Sequence, residues 1–319
     1  MINIEALVCC PACRADLRMP IDVKERLFCS SDGCIYSQRG FPRLDGRPVL
    51  IDFRESILLE GDLLARAGKS FMRRDDMRTD LSTRVRKKLL GRNLTAMRNA
   101  ESMIAAMKKV TSRPKLLIIG GGAIGSGIEQ IYSDPELEIL ATDIYVSPLT
   151  QILADGHQLP FKAKSFEGVW IQAVLEHVLD PKKVVDEIWR VLKQGGVVYA
   201  DTPFMQQVHE GAYDFTRFTL SGHRWLFRSF EHLDSGAVGG PGTALIWSVQ
   251  YLVRAVFGSQ KLAKVAAYSC FWLRYLDRIG KKQQIEDAAC GVFFLGTRSD
   301  HTLRPSDIVE YYQRRGAAI

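Results

Sequence analysis

The sequence predicts an α/β protein in which a doubly wound, largely parallel sheet follows a small cysteine-rich unit. Two observations lead to this prediction. From Pro114 onward, short apolar runs alternate with helical segments, as strands and helices do in βαβ units. Before that point, five of the seven cysteines fall within the first 34 residues. Such clustering is typical of a metal-binding module and not of a disulfide scaffold.

Length and composition set the domain organisation. The chain has 319 residues, 46% of them hydrophobic, and a net charge of +7, which suits one large domain and a smaller one. The start lacks the features of a secretory signal and no apolar run approaches about 18 residues, so we expect a cytoplasmic protein without a transmembrane span. The expected parts are residues 1–52 as the cysteine unit, 53–113 as a basic helical linker, 114–300 as the main domain with a helical insertion at about 243–279, and 301–319 as a tail.

The strands of the main domain are predicted from continuous apolar runs, which indicate burial on both faces of a sheet. A helix is expected from about Pro181 to Leu192, ended by the break KQGG at 193–196. The predicted strands are KLLIIG at 115–120, EILATDIY at 138–145, GVWIQAV at 168–174, VVYADTPF at 197–204 and GVFFLGTR at 291–298.

A glycine-rich turn follows the first of these strands. Gly120, Gly122 and Gly125 have G-x-G-x-x-G spacing, which permits a tight turn and a close approach of the backbone to a ligand. Asp143 ends the next strand, where a carboxylate can accept both ribose hydroxyls. Strand, glycines, helix, strand and acid in this order predict a nucleoside site.

The segment 152–203 identifies the nucleoside. It combines Asp155 with LPF at 159–161, SFEGVW at 165–170, VLEHVLDP at 174–181 and EIWRVLKQGG at 187–196. Over about residues 115–235 the chain resembles class I S-adenosylmethionine-dependent methyltransferases of the type 11 kind. The resemblance implies a Rossmann-like fold and S-adenosylmethionine as cofactor, and it argues against a nicotinamide oxidoreductase.

The same resemblance assigns positions around the cofactor. It implies that Asp155 meets the adenine amino group and that Gln172 lies near the methionine end. The third glycine comes one place later than in the commoner form of the loop, which leaves open which amide contacts the methionyl carboxylate. The expected cofactor-binding residues are Gly120, Gly122, Gly125, Asp143, Ile144, Asp155, Gly156, His157 and Gln172.

Four cysteines form two short knuckles, Cys10-Pro-Ala-Cys13 and Cys29-x4-Cys34. Four thiolates can surround Zn²⁺ tetrahedrally, and a unit of this size gains stability from a metal. Cys9 could replace Cys10, although the CPxC knuckle favours Cys10. GFPRLDGRPVLID at 40–52 resembles the end of Trm112-like zinc ribbons, and a closed four-cysteine site implies a structural role or the presentation of substrate.

The loop after the strand at 197–204 is the expected wall of the acceptor site, because ligands bind beyond the carboxyl ends of the strands. His209 or His177 is our candidate general base. Arg217 binds an anionic part of the acceptor or pairs with Asp214, and the role of Tyr213 is either catalytic or that of a core aromatic. Similar H…YDFxRxT segments occur in methyltransferases of envelope polysaccharide and glycolipid pathways.

These observations favour methyl transfer to an oxygen or nitrogen of a small molecule, a glycan or a lipid-linked intermediate. Two alternatives stay open: an RNA methyltransferase that uses the ribbon and the basic linker, and a non-catalytic partner protein that binds the cofactor. The apolar helices at about 243–279 are interpreted as a lid or a homodimer interface, with peripheral membrane contact as a third interpretation.

Overall fold

The computed structural model of the protein describes residues 2–19, 25–66 and 93–316. The most basic part of the predicted linker, residues 67–92, lies outside these residues. Within them, the strands form one mixed sheet of eleven. The predicted α/β, doubly wound architecture is confirmed: the fold is Rossmann-like.

Five parallel strands form the centre of the sheet, in the order β7-β6-β5-β8-β9. Two antiparallel strands, β11 and then β10, extend it beyond β9. The strands are β1 Leu17–Arg18, β2 Arg26–Cys29, β3 Phe41–Leu44, β4 Arg47–Leu50, β5 Lys115–Ile119, β6 Glu138–Asp143, β7 Ile152–Ala154, β8 Phe166–Gln172, β9 Leu192–Pro203, β10 Phe230–Gly239 and β11 Gly291–Arg298. The strand order reverses at β5, so a crevice opens beyond the carboxyl ends of β5 and β8.

Helices cover both faces of the sheet. The helices are α1 Ile4–Leu7, α2 Glu60–Ala65, α3 Leu94–Lys108, α4 Glu129–Ser133, α5 Pro181–Val191, α6 Leu220–Leu226, α7 Pro241–Phe257, α8 Gln260–Ser269, α9 Leu273–Leu276, α10 Lys282–Asp287 and α11 Pro305–Gly316. Alternate residues of β5 point to opposite faces. Leu117 packs in the core with Val184 of α5, and Leu116 packs in the core with Met103 of α3.

Gly168 of β8 shows why the close approach of α3 is possible. A Cβ atom at this position would lie 2.3 Å from Sδ of Met107 and 2.6 Å from Cε of Met103. The missing side chain therefore leaves room for the two methionines of the helix against the sheet. On the other face, Asp180 caps α5 by accepting a hydrogen bond from the Lys183 amide at 3.1 Å.

The N-terminal cysteine unit is joined to the central sheet. Its last strand, β4, pairs in parallel with β7 through Val49–Leu153 and Leu50–Ala154. The amide of Cys9 also donates to the carbonyl of Pro160 at 2.9 Å. The unit therefore extends the sheet edge next to the loop that begins at Asp155.

Several boundaries differ from those expected. The break predicted at 193–196 lies inside β9. At this point the pairing with β8 is irregular, and Gly195 adopts φ of +70°. Two strands were not predicted: β7 is apolar but has only three residues, and the half-exposed β10 has no continuous apolar run. The strand at 291–298 has the predicted bounds.

The helical insertion, α7 to α9, precedes β11. Several of its large apolar side chains are exposed. This exposure is compatible with each of the three interpretations: a lid, a homodimer interface and a peripheral membrane contact. Among the described residues, none of the helices is long and apolar enough to cross a membrane. The expected tail contains α11, which ends at Gly316.

Candidate functional site

A cavity lies beyond the carboxyl ends of β5, β6, β7 and β8. Its wall combines two acids with apolar side chains, a suitable lining for a nucleoside. The lining residues are Ile57, Leu58, Ile119, Gly120, Thr142, Asp143, Ile144, Ala154, Asp155, Gly156, His157, Ala173, Val174, His177 and Val178. Of the nine residues expected to bind the cofactor, this cavity brings together six. Gly122, Gly125 and Gln172 lie beside it in the glycine loop and at the end of β8.

The glycine loop passes so close to its neighbours that side chains are excluded. Gly120 has φ of +74°, and a Cβ there would lie 2.3 Å from Cγ2 of Val174. A Cβ at Gly122 would lie 2.6 Å from Oδ2 of Asp143, and one at Gly125 would lie 2.2 Å from Oε1 of Gln172. The spacing of the three glycines therefore follows from packing of the loop against the ends of the strands.

Asp143 is buried at the end of β6 and is oriented by two backbone amides. Its Oδ2 accepts from Gly122 at 2.8 Å and its Oδ1 from Ile144 at 2.7 Å. Each carboxylate oxygen can accept further hydrogen bonds. The arrangement can thus present acceptors to a pair of vicinal hydroxyl groups.

Asp155 is held by a residue of the linker. Its Oδ1 accepts from the amide of His157 at 2.9 Å and from Nδ1 of His157 at 2.6 Å, and its Oδ2 accepts from the Ser56 hydroxyl. Nε2 of His157 in turn accepts from the Asp180 amide at 3.1 Å. Burial acts to raise the pKa of Asp155, but the hydrogen bonds that it accepts from His157 and Ser56 outweigh burial and the pKa is lowered. His157 therefore orients the acid and joins it to α5.

Gln172 is tied to a buried acid that the sequence analysis did not single out. Asp201 of β9 accepts from Nε2 of Gln172 at 3.2 Å, from the Tyr199 hydroxyl at 3.0 Å and from the Ala173 amide at 3.1 Å. Burial raises the pKa of Asp201 to about 6. This network positions Gln172, which packs against Gly125 of the glycine loop.

The five candidate catalytic residues come together beside this cavity. The rings of His177 and His209 meet edge to face, with centroids 4.9 Å apart. Nδ1 of His177 contacts the carbonyl of Tyr213 at 2.6 Å. Asp214 forms an ion pair with Arg217, with Nη2 and Oδ2 2.8 Å apart, and its Oδ2 lies 3.2 Å from Nδ1 of His209.

Glu176 was missed although it precedes His177 directly. Its side chain is 1% exposed, and neither carboxylate oxygen has a hydrogen-bond partner among the described residues. Burial raises its pKa to about 8. An acid next to a histidine after a strand was the available signal, but only the folded structure shows that this carboxylate is buried and unpartnered. Ser56 could not be found from sequence, since 99 residues separate it from Asp155.

The four knuckle cysteines form a compact group at the other side of the N-terminal unit. Sγ of Cys10 lies 3.8 Å from that of Cys34, and Cys13 and Cys29 are 3.3 Å apart. All four sulfur atoms lie within 4.8 Å of one another. Zn²⁺ bound at about 2.3 Å separates its thiolates by roughly 3.8 Å, so the donor set and spacing fit a tetrahedral metal. Cys9 lies outside this group.

Comparison with known proteins agrees with the geometry of the main domain. Residues 128–200 match the family model of a methyltransferase domain. A shorter stretch is 47% identical over 47 residues to an uncharacterized protein of Methanocaldococcus jannaschii, covering 15% of this chain and 23% of that protein. The chain thus spans about a quarter of the length of the curated relative that it matches.

Two solved structures are similar at low identity. Phosphoethanolamine N-methyltransferase 2 of Haemonchus contortus, bound to phosphomonomethylethanolamine and S-adenosylhomocysteine, has a TM-score of 0.44 and 16% identity over 69% of this chain and 58% of its own. A chain of the Haloferax volcanii complex that contains the Trm112 methyltransferase activator has a TM-score of 0.41 and 16% identity over 72% of this chain and 100% of its own. These values are too low to transfer an activity or an acceptor. The family match shows that residues 128–200 are similar to a methyltransferase domain.

Proposed function

We propose that the protein is an S-adenosylmethionine-dependent methyltransferase that acts on an oxygen or nitrogen of a small molecule, a glycan or a lipid-linked intermediate. One observation carries the proposal. The glycine loop, Asp143 and Asp155 meet around a single cavity, and most of this site lies in the segment that matches the methyltransferase domain. In this proposal, Asp143 accepts the ribose hydroxyls, Asp155 receives the adenine amino group, and the apolar side chains of the cavity hold the ring.

The bound cofactor would supply an electrophilic methyl group on sulfur. The chain must then place the acceptor in line with that group and allow the acceptor to lose a proton. Alignment of the reactants contributes several kcal/mol to such reactions, and removal of the proton by a positioned group typically adds about 10²–10⁴-fold. His177 lines the cavity and the ring of His209 meets that of His177 edge to face, which supports our proposal that the acceptor binds beside this pair.

The roles of the other three candidates follow from their contacts. The carbonyl of Tyr213 orients the ring of His177, and Asp214 faces Nδ1 of His209. Arg217 holds Asp214 and also donates from Nε to the carbonyl of Gln206 at 3.0 Å. We therefore assign Tyr213, Asp214 and Arg217 to positioning of the histidine pair.

The cysteine group would hold Zn²⁺ in a structural site. Four thiolates complete a tetrahedral shell and leave no coordination position for chemistry. Burial raises the pKa of Cys29 to about 11 and also raises that of Cys10. Burial therefore disfavours the thiolate forms of these cysteines. A bound dication would stabilise the thiolates and lower their pKa values.

The proposal is tested by a transfer assay with a methyl-labelled donor. The zinc-loaded protein is incubated with separate polar-metabolite, glycan, lipid-linked and RNA fractions, and labelled products are identified by mass spectrometry. Label in one of the first three fractions, lost in His209→Gln and kept in the exposed control His301→Gln, supports the proposal. Label in RNA alone would contradict the acceptor class. Cofactor binding without label in any fraction would instead indicate a non-catalytic binding protein.

A further inference from the structure

A second group of metal-ligand type lies at the acceptor end of the site. Glu176, His177 and His209 each offer one ligand atom, and these atoms lie within 4.8 Å of one another. Nε2 of His177 is 3.7 Å from Oε1 of Glu176. Two histidines and one carboxylate are a set that binds divalent transition metals such as Zn²⁺, Mn²⁺, Fe²⁺ and Co²⁺.

The Glu176 carboxylate supplies an independent observation. It is nearly inaccessible to solvent, and no described group donates a hydrogen bond to either oxygen. Burial of such a group without a partner is costly, and buried charges in proteins are usually paired or bound to a metal. Arg217 does not reach this carboxylate with a hydrogen bond, since its described bonds go to Asp214 and to backbone carbonyls. The side chain is therefore buried without a hydrogen-bond donor among the described residues, and a bound cation would stabilise its carboxylate form.

The histidine tautomers leave the correct nitrogen atoms available. A carbonyl oxygen can only accept, so Nδ1 of His177 is the donor in its 2.6 Å contact with Tyr213. Nδ1 of His209 lies 3.2 Å from Oδ2 of Asp214 and 3.4 Å from the carbonyl of Gln207, both of which are acceptors. In the neutral form of each ring, Nε2 then carries the lone pair that a metal would bind.

These contacts are also the ones that support metal-ligating histidines. In such sites the second ring nitrogen almost always donates to a backbone carbonyl or a carboxylate, which fixes the ring and raises its basicity. Nδ1 of His177 contacts a backbone carbonyl, that of Tyr213. Nδ1 of His209 faces a carboxylate, that of Asp214, which Arg217 holds in turn.

We propose that Glu176, His177 and His209 bind one divalent transition-metal cation beside the cofactor cavity. Ligands at about 2.1 Å from a cation lie roughly 3–4 Å apart, so the side chains need to close by only about 1 Å from their present separation. Three protein ligands leave coordination positions open, as in metal sites that act on substrates. His177 also lines the cavity, so the proposed cation would lie beside it.

The role of the cation rests on the proposed function. An acceptor hydroxyl that coordinates a dication has a lowered pKa, as bound water does. Its O–H bond breaks, the proton passes to solvent, and the electron pair stays on the oxygen, which is then the nucleophile. The two histidines would act through the cation and not by accepting the proton themselves.

Binding is tested with Co²⁺ on the full-length protein loaded with a single equivalent of Zn²⁺, so that the second group of ligands is left empty. With the cysteines occupied by Zn²⁺, we expect one equivalent of Co²⁺ to give visible absorption without the charge-transfer band of sulfur ligands. Glu176→Gln and His209→Gln should each weaken Co²⁺ binding at least tenfold, and His301→Gln, at an exposed histidine, should leave it unchanged. Far-ultraviolet circular dichroism, which depends on neither the cation nor the cofactor, reports whether each variant is folded, and calorimetry with S-adenosylhomocysteine is run separately.

The outcomes separate this proposal from the proposed function. S-adenosylhomocysteine binding without stoichiometric Co²⁺ binding would overturn the metal site and leave the methyltransferase proposal standing. Equal Co²⁺ affinity in the wild type and in both folded variants would overturn it as well. Co²⁺ binding that is lost in Glu176→Gln and His209→Gln supports the metal site even if S-adenosylhomocysteine does not bind, and that result would contradict the methyltransferase proposal instead.

Discussion

Arg14, one residue after the first cysteine knuckle, donates from Nη2 to Oε2 of Glu187 in α5 at 2.9 Å. Its Nη1 donates to the carbonyl of Leu159 at 2.7 Å, and Arg190 donates to the same two acceptors. The backbone of Arg14 adopts φ of +69°, a conformation set by the turn of the knuckle. The cysteine unit and the helix beyond the Asp155 loop therefore share one polar contact.

Because of this contact, we predict that loss of the cysteine site destabilises the main domain. Cys13→Ser removes one of the proposed zinc ligands, loosens the knuckle that carries Arg14, and exposes the edge of β7. We expect the midpoint of thermal unfolding to fall by about 5–10 °C, which corresponds to a few kcal/mol for a chain of this size. Cys270→Ser, outside the group of four, is the matched control. Equal midpoints for the two variants would show that the cysteine site is not coupled to the rest of the fold.

Substitution of Asp143 should specifically weaken cofactor binding. In Asp143→Asn one acceptor oxygen becomes an amide donor, so the ribose loses a charge-assisted hydrogen bond of about 1.5–3 kcal/mol. We expect the Kd for S-adenosylhomocysteine to rise roughly 10–100-fold. Asp186→Asn changes an exposed acid of α5 and should have no effect in the same calorimetric titration. An unchanged Kd for Asp143→Asn would remove this residue from the cofactor site.

Alanine substitutions at two glycines distinguish backbone strain from steric crowding. Gly120 and Gly195 have φ of +74° and +70°, so alanine is strained at both. A Cβ would meet Val174 at Gly120 but nothing within 4 Å at Gly195. Both variants should lose about 1 kcal/mol of stability from strain, and Gly120→Ala should lose further stability and most of its affinity for S-adenosylhomocysteine. Thermal unfolding and calorimetry measure the two effects, and equal losses in both variants would argue against crowding at the loop.

His223 predicts part of the pH dependence of stability. It is fully buried in α6, and neither ring nitrogen has a hydrogen-bond partner among the described residues, so burial lowers its pKa to about 3. Between this value and the ordinary 6.5, the unfolded chain binds a proton that the folded chain does not. Above pH 6.5, His223 therefore does not lower the free energy of unfolding. Below pH 6.5 the free energy of unfolding falls on acidification, by at most about 1.4 kcal/mol per pH unit.

His223→Leu should remove this dependence. Denaturant unfolding at pH 7.5 and pH 5 should show a difference in the free energy of unfolding that is smaller by about 2 kcal/mol in the variant than in the wild type. His301→Gln, at an exposed histidine, should behave as the wild type. The same pH dependence in all three proteins would mean that His223 is paired or hydrated in solution.

Much of the fold was predictable because burial on both faces leaves continuous apolar runs, as in β5 and β8. The short strand β7 has three residues, too few for a pattern, and β10 is a half-exposed strand that is defined by its pairing with β11. Gly195 suggested the end of a helix and a loop, but it lies in an irregular stretch of β9. Propensity alone does not distinguish these cases.

The site shows a similar division. The positions of the glycines and of Asp143 follow from the strand order, so the sequence pattern located them. Ser56 reaches Asp155 from a distant part of the chain. Glu176 differs from an ordinary surface acid because its side chain is buried in the folded chain. Both depend on tertiary contacts that no local pattern reports.

The most direct test of the account is a calorimetric titration of the reduced, zinc-loaded protein with S-adenosylhomocysteine and, separately, with NAD. The methyltransferase account predicts one binding site for S-adenosylhomocysteine with micromolar affinity and no heat from NAD. Binding of NAD without binding of S-adenosylhomocysteine would contradict it.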